Sequence, residues 1–457
     1  MTDLAERLIA IVGAGHVLTG DAISEDYTHD EALTATPVQP LAVVRPADPK
    51  QVAEVLRVAS ELGTPVTARG SGTGLSGACI PRPNGIVLSL ERMNAIVEID
   101  TDNYVAVVQP GVTLDQLDEA LAPLGLVYPV CPGENSASLG GNVATNAGGM
   151  RAVKYGVTRH QVLGVEAALA TGEVIRSGGK FVKATTGYDL TQLIIGSEGT
   201  LAIVTEATLK LYPRPPHDAT VLVPFPTLED ISAAVPTIVR SGVNPLILEY
   251  IDGTGMTVLA ANVGLDLGIP EGIQSAAAAY LLVVIEGHHE SRVEEDLSAL
   301  AELLGELGAL DVYVLPSRQG ALLIEAREKA FWVVKQMGAN DIIDVVVPRA
   351  SVPEYLAKVR AIGEEHGTFI GAAGHAGDGN IHLSVFQADD AVRKVVMREI
   401  LHAGVALGGA ISAEHGIGTE KKEYFLALED PAKIALMQRI KSAFDPEGIL
   451  NPGTLLD

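Results

Sequence analysis

A chain of 457 residues is too long for one core, so two or three domains are expected. Its 47% hydrophobic and 19% charged residues exclude a disordered chain, and a net charge of −25 argues against a nucleic-acid binder or a partner of acidic membrane surfaces. An anionic substrate would need a local positive site against that field. The only cysteines, Cys79 and Cys131, argue for a reducing compartment, so a cytoplasmic location is expected. The opening MTDLAERLIAIV lacks a basic stretch and is not read as a signal peptide, and no apolar run reaches membrane-spanning length.

In chain order, residues 2–12 read as an amphipathic helix. GAGH (13–16) lacks the later glycine of a dinucleotide loop, Leu18 standing there. Leu41–Arg45 reads as a strand, and Asp48-Pro49 opens a helix through Leu62. The strand Pro65–Ala68 runs into a glycine-rich loop, Arg69-Gly70-Ser71-Gly72-Thr73-Gly74-Leu75-Ser76-Gly77. It contains GxGxxG, but Pro81 and Pro83 follow and would break the helix that a Rossmann loop must open. A phosphate nest or an ordinary glycine loop both fit. Further strands are expected at 86–90, 96–99 and 104–108, then a helix capped by Thr113.

Residues 132–156, PGENSASLGGNVATNAGGMRAVKYG, are a second stretch of small polar residues with little to bury. Such a length is usually functional, and small residues let backbone approach a large flat ligand. Strands at 162–175 and a helix and strands over 185–211 follow, and Pro213, Pro215 and Pro216 mark a boundary. Residues 217–410 read as an antiparallel sheet covered by helices, with one long helix over 318–337. Here GHAGDGNIH brackets a tight Gly377–Asn380 turn with His375 and His382, and SAEHGIG later supplies Glu414 and His415. Two imidazoles and a distant carboxylate suit a divalent metal with one open position, though surface-loop histidines would read the same locally. His288-His289, His160 and His402 read as structural or solvated. FDPEGILNPG (444–453) reads as an ordered tail.

Seven motifs in order, RGSGTGLSG (69–77), PGENSASLGGNVATNAGG (132–149), KYG (154–156), GYDLTQLIIGSEGTLAIVTE (187–206), GHAGDGNIH, SAEHGIG and FDPEGILNPG, resemble the FAD-linked oxidases of the vanillyl-alcohol oxidase (PCMH) type. Among these, the chain is most similar to the D-2-hydroxy-acid dehydrogenase branch, the D-lactate dehydrogenases and glycolate oxidase flavin subunits. The resemblance implies an α+β fold: an FAD-binding domain over 1–215, a substrate domain over 216–412, and a segment 413–457 returning to the flavin. It implies non-covalent FAD. Arg69, Gly70, Ser71, Gly72, Thr73, Gly74 and Ser76 would wrap the pyrophosphate. Pro132, Gly133, Ser138, Gly141, Asn142, Thr145, Asn146, Gly148, Gly149 and Gly156 would line the rest. Glu198, Gly199 and Ile203 would lie towards the adenine, and Asn451 over the isoalloxazine.

The reaction implied is oxidation of a D-2-hydroxy acid to its 2-oxo acid. A metal on His375, His382 and Glu414, zinc by ligand type with manganese or iron as alternatives, would acidify the hydroxyl. His415 would be the general base, and the resemblance puts Arg327 at the carboxylate clamp. Read locally, Arg327 would pair with Glu325 or Glu328 on a helix surface. Phe331, Ile342 and Ser384 stand where dicarboxylate-specific relatives carry polar residues, so a monocarboxylate such as D-lactate, glycolate or a longer aliphatic acid is expected. Phe331 and Trp332 could form the apolar wall of that pocket, though taken singly each reads as core. Alternatives are a flavin subunit of a glycolate oxidase-type complex, a D-2-hydroxyglutarate dehydrogenase or, without FAD, a metal hydrolase. The electron acceptor (a quinone, cytochrome or electron-transfer protein) is open, and a homodimer is compatible with the sequence.

Overall fold

The computed structural model describes residues 2–456. The helix Pro49–Leu62 forms where expected. Asp48 Oδ1 accepts the Gln51 N–H at 2.8 Å, and Gly63 (φ 60°) ends it in a conformation that glycine adopts without a Cβ penalty. Its buried Val52, Val55, Leu56 and Ala59 share a core with the first sheet. That sheet joins β1 (Val17–Leu18), β2 (Ala42–Val44), β3 (Val66–Arg69) and β4 (Ile86–Ser89) in the order β1-β2-β4-β3. β4 pairs in parallel with both β2 and β3. β3 ends at Arg69, so the first glycine loop leaves the carboxyl end of a parallel strand. No helix opens in it, as the prolines require.

The next strands are β5 (Ile96–Asp100), β6 (Val105–Val108), β7 (Leu126–Val127), β8 (Val162–Ala168), β9 (Val174–Gly178), β10 (Ile203–Lys210) and β11 (Tyr212–Pro213). β7 pairs with β11, and the other five form an antiparallel sheet, β5-β6-β10-β8-β9. The second small-residue stretch is more regular than expected: it forms short helices at Leu139–Thr145 and Ala152–Tyr155. Ser138 makes the first of these, its Oγ accepting the Gly141 N–H at 3.3 Å.

Beyond Pro216 come β12 (His217–Phe225), β13 (Ile247–Asp252), β14 (Ala279–Gly287), β15 (Tyr313–Leu315), β16 (Asp341–Val346), β17 (Phe369–His375) and β18 (Asn380–Phe386). All are antiparallel in one sheet, β15-β12-β14-β13-β17-β18-β16, whose apolar face packs under helices such as Val352–Glu365 and Asp390–Ala406. The expected long helix over 318–337 is two helices, Ser317–Glu328 and Ala330–Gln336, broken at Lys329.

The last segment returns to the first sheet. Leu450 bridges Val66 in parallel, and the Val66 N–H donates to Ile449 O at 2.8 Å. The Asp445 carboxylate accepts the N–H groups of Ile449 and Leu450, at 3.0 and 2.7 Å, which orders the proline-rich tail. No helix among the described residues is long and apolar enough to cross a membrane.

Candidate active site

The two glycine loops are fastened to each other. Ser71 donates its N–H to Ser138 Oγ at 3.3 Å and its hydroxyl to Ser136 O at 2.7 Å. A Cβ on Gly70 would lie 1.9 Å from Ser138 Oγ, which is why no side chain fits there. Between the loops lies a cavity of about 210 Å³. Of the residues predicted to hold the cofactor, Arg69 to Gly74, Ser76, Pro132, Gly133, Ser138, Gly141, Asn142, Thr145, Glu198, Gly199 and Ile203 line it. Asn142 Nδ2 is buried there with no hydrogen-bond partner, so a donor waits on the cavity wall. These walls, small residues with an unspent donor, fit a large phosphate-bearing cofactor. Gly70→Ala is expected to yield protein purified with well under half the wild-type FAD content, read by absorbance. Wild-type content would show that the loops part without cost.

The remaining predicted cofactor residues work from behind that wall. Asn146 (φ 56°) ends a helix, and its Oδ1 accepts the Arg159 N–H at 2.9 Å. Gly148 lies against the Glu414 carboxylate, and the Gly149 N–H donates to Glu414 Oε1 at 2.9 Å. Gly156 (φ 78°) ends the Ala152–Tyr155 helix against the His160 ring. Asn451 is buried, and its Nδ2 donates to Ala78 O and Glu198 O at 2.9 and 2.8 Å, tying the tail to two loops rather than lining the cavity. The Glu198 carboxylate likewise accepts the Ile417 and Gly418 N–H groups at 2.8 and 2.7 Å.

A second cavity, of about 180 Å³, adjoins the first. Glu414, His415, Phe331 and Leu75 line both. At its inner end the β17–β18 hairpin brings His375 and His382 together, and the turn that follows the helix Asp390–Ala406 brings Glu414 to them. His375 Nε2 lies 3.1 Å from His382 Nε2 and 3.0 Å from Glu414 Oε1. One ligand atom from each of the three lies within 4.8 Å of the others. The donor set, two imidazoles and a carboxylate, fits a divalent cation of zinc type. Burial alone would lower His375, but the Glu249 and Glu414 carboxylates outweigh it and hold the ring well above the ordinary histidine value. Burial and the neighbouring His375 push His382 well below it.

Glu249 on β13 was not singled out in the sequence. It is fully buried, with one oxygen 2.5 Å from His375 Nδ1 and the other 2.9 Å from Arg327. It therefore orients the imidazole so that Nε2 faces the other ligands. Arg327 is buried and pairs with neither Glu325 nor Glu328, which corrects the helix-surface expectation. Its Nη2 is ion-paired with Glu249, while its buried Nε has no hydrogen-bond partner. Phe331 and Trp332 also depart from a core placement: both line the cofactor cavity, and Trp332 is 37% exposed.

His415 is held by Asp344, also unforeseen. The Asp344 carboxylate accepts the N–H groups of Ala413, Glu414 and His415, at 2.9, 2.6 and 2.9 Å, and lies 3.4 Å from His415 Nδ1. Burial pushes the His415 pKa down, against the pull of Asp344, so the ring is neutral and able to accept a proton. The signal for both missed carboxylates was present: LILEYI and IIDVVV each set one charge inside an apolar strand, and such a charge needs a buried partner.

Residues 40–178 match the family described as FAD binding domain, and residues 214–455 match FAD linked oxidases, C-terminal domain. The chain is 55% identical over 455 residues to an uncharacterized FAD-linked oxidoreductase of Mycobacterium tuberculosis, covering 100% of this chain and 99% of that one. It is 39% identical over 440 residues to the D-lactate dehydrogenase of Archaeoglobus fulgidus, covering 95% and 96%. In fold it is similar to p-cresol methylhydroxylase, with a TM-score of 0.80 at 20% identity over 100% of this chain and 97% of that one. The chain therefore belongs to the FAD-linked oxidases, as an FAD-dependent oxidoreductase with a PCMH-type FAD-binding fold.

Proposed function

We propose that the protein oxidises D-2-hydroxy monocarboxylic acids, D-lactate, glycolate or longer aliphatic homologues, to 2-oxo acids. The observation that carries this is the meeting of the two cavities at Glu414 and His415, with Arg327, whose Nε is unpartnered, lining the second cavity beside the His375–His382–Glu414 cluster. FAD, bound without a covalent bond, supplies a hydride acceptor at its N5 when present. A divalent cation, zinc by ligand type, would be held by His375, His382 and Glu414 and would acidify a bound hydroxyl.

The chain's own groups do the rest. Arg327 grips the substrate carboxylate with the guanidinium N–H groups that Glu249 does not take up. His415 takes the hydroxyl proton, and Asp344 stabilises the imidazolium that results. Phe331, Ile342 and Ser384 line the second cavity, and Arg327 is the sole lysine or arginine there, so a second carboxylate would lie unpaired. The reading also takes 1–215 as the FAD domain, 216–412 as the substrate domain and 413–457 as the returning segment. It places the enzyme in the cytoplasm, supported by two unpaired cysteines, with electrons leaving to a separate acceptor.

Anaerobic addition of D-lactate or a longer D-2-hydroxy acid is expected to bleach the flavin absorbance, while the L-acids leave it. Prior chelation is expected to slow the bleaching at least 100-fold, with zinc restoring it. Absence of bleaching by every 2-hydroxy acid sinks the reading, and bleaching indifferent to chelation removes the cation from it.

A further inference from the structure

The second cavity does not end at the histidines. It continues along the β17–β18 hairpin, and the register of that hairpin explains its lining. Residues two apart on a strand share a face. His375, Ala373, Gly371 and Phe369 therefore form one row on β17, and His382, Ser384 and Phe386 form the matching row on β18. The pairing agrees: Ala373 stands opposite His382, Gly371 opposite Ser384 and Phe369 opposite Phe386. All seven line the cavity. The middle of this track is floored by residues with almost no side chain. A Cβ added at Gly371 would meet nothing within 4 Å, so the space above it is open.

Away from the histidine end the walls are mostly apolar; Asp252 and Thr254 also line them, and the Asp252 carboxylate is taken up by the N–H groups of Gly255 and Ala372. Val258 stands on the helix Gly253–Asn262, Val334 and Met337 on and just after the helix Ala330–Gln336, and Ile342 on β16. At the far end the Phe369 and Phe386 rings lie 5.4 Å apart, and Phe369 and Met337 are 55% and 50% exposed. Six residue steps from His375 to Phe369 span about 20 Å. Lactate or glycolate would occupy only the histidine end, leaving large apolar side chains wet along the rest.

We infer that this track holds a hydrocarbon chain, so that the substrates of this enzyme are 2-hydroxy monocarboxylic acids carrying an unbranched apolar chain of eight carbons or more. The inference rests on the reading above, in which the head group sits between Arg327 and the histidine cluster. Each methylene laid on the track leaves water, and the chain's end emerges between Phe369 and Met337.

The test is the reductive half-reaction of the FAD-loaded enzyme with D-2-hydroxy acids of four, six, eight, ten and twelve carbons, alongside Gly371→Leu. For the wild type, kcat/KM is expected to rise about four-fold per added methylene through ten carbons. A Cβ at position 371 meets nothing within 4 Å, so leucine there projects into the open space of the track, and the FAD content of the variant reports its folding. It is expected to lower the ten-carbon to four-carbon ratio of kcat/KM at least 30-fold. A wild-type series that is flat or falls with length overturns the track while leaving 2-hydroxy-acid oxidation standing. A series in which no acid reduces the flavin overturns both. Should the variant misfold, the wild-type series decides alone.

Discussion

Asp344→Ala is expected to cost about 3–5 kcal/mol of stability, the usual penalty for removing one partner of a buried ion pair. Asp344 is fully buried and Lys421 is 3% exposed, with Nζ 2.6 Å from Asp344 Oδ1. Alanine would leave that ammonium buried and uncompensated, together with three N–H groups of residues 413–415 and the Ser412 hydroxyl. Asp344→Asn retains an acceptor for the backbone but not the charge, and is expected to fall between alanine and wild type. Urea unfolding midpoints at constant slope measure both. A loss under 1 kcal/mol for alanine would mean that other contacts hold the turn. Burial would raise the Asp344 carboxyl, but His415, protonated in the acid range where the carboxyl titrates, and the Lys421 ammonium outweigh it and hold it far below the carboxylate range. A depressed folded pKa contributes stability that is present above the unfolded value and lost as pH falls. The wild type should therefore lose this contribution progressively below about pH 4, while Asp344→Asn should lack that part of the acid transition.

The consequence reaches the site because the Asp344 turn carries Glu414 and His415 into both cavities. The sequence made those two residues visible by their position in SAEHGIG, but not the strand carboxylate that fixes them. The same holds for His375, which a motif exposes, and Glu249, which only the β13–β17 pairing brings beside it. Local signals were otherwise dependable where one or two residues decide the outcome. Asp48-Pro49 and Gly63 set a helix to the residue, and Pro81 and Pro83 kept the first glycine loop from opening one. They failed where tertiary packing decides. Arg327 and Trp332 sit on helices whose exposure depends on a break at Lys329 that no proline or glycine announces. Asn451, legible as a tail residue, ties loops together because the chain end pairs with β3.

The second large effect belongs to His415. His415→Asn is expected to slow flavin reduction by a D-2-hydroxy acid about 10²–10⁴-fold, the range for a lost general base. FAD content should be unchanged, because the cofactor cavity is shaped chiefly by the glycine loops. The asparagine keeps the backbone N–H that binds Asp344, so the turn survives and the loss is chemical. The pH dependence separates this role from a packing role. Because burial lowers the His415 pKa, the acid limb of the wild-type reduction rate should lie below the ordinary histidine value near 6.5, with the rate rising as pH increases through it. In the variant that limb should vanish, and added imidazole should restore part of the rate. Reduction within ten-fold of wild type, or an unchanged acid limb, would assign the proton to another group. A cation, if held by His375, His382 and Glu414, would then have to acidify the hydroxyl enough for a solvent acceptor to take its proton. With the base lost and the clamp intact, the binding of a 2-oxo acid product to the oxidised enzyme should change little. That measurement, made by flavin spectral perturbation, distinguishes a group that moves a proton from one that merely holds the ligand.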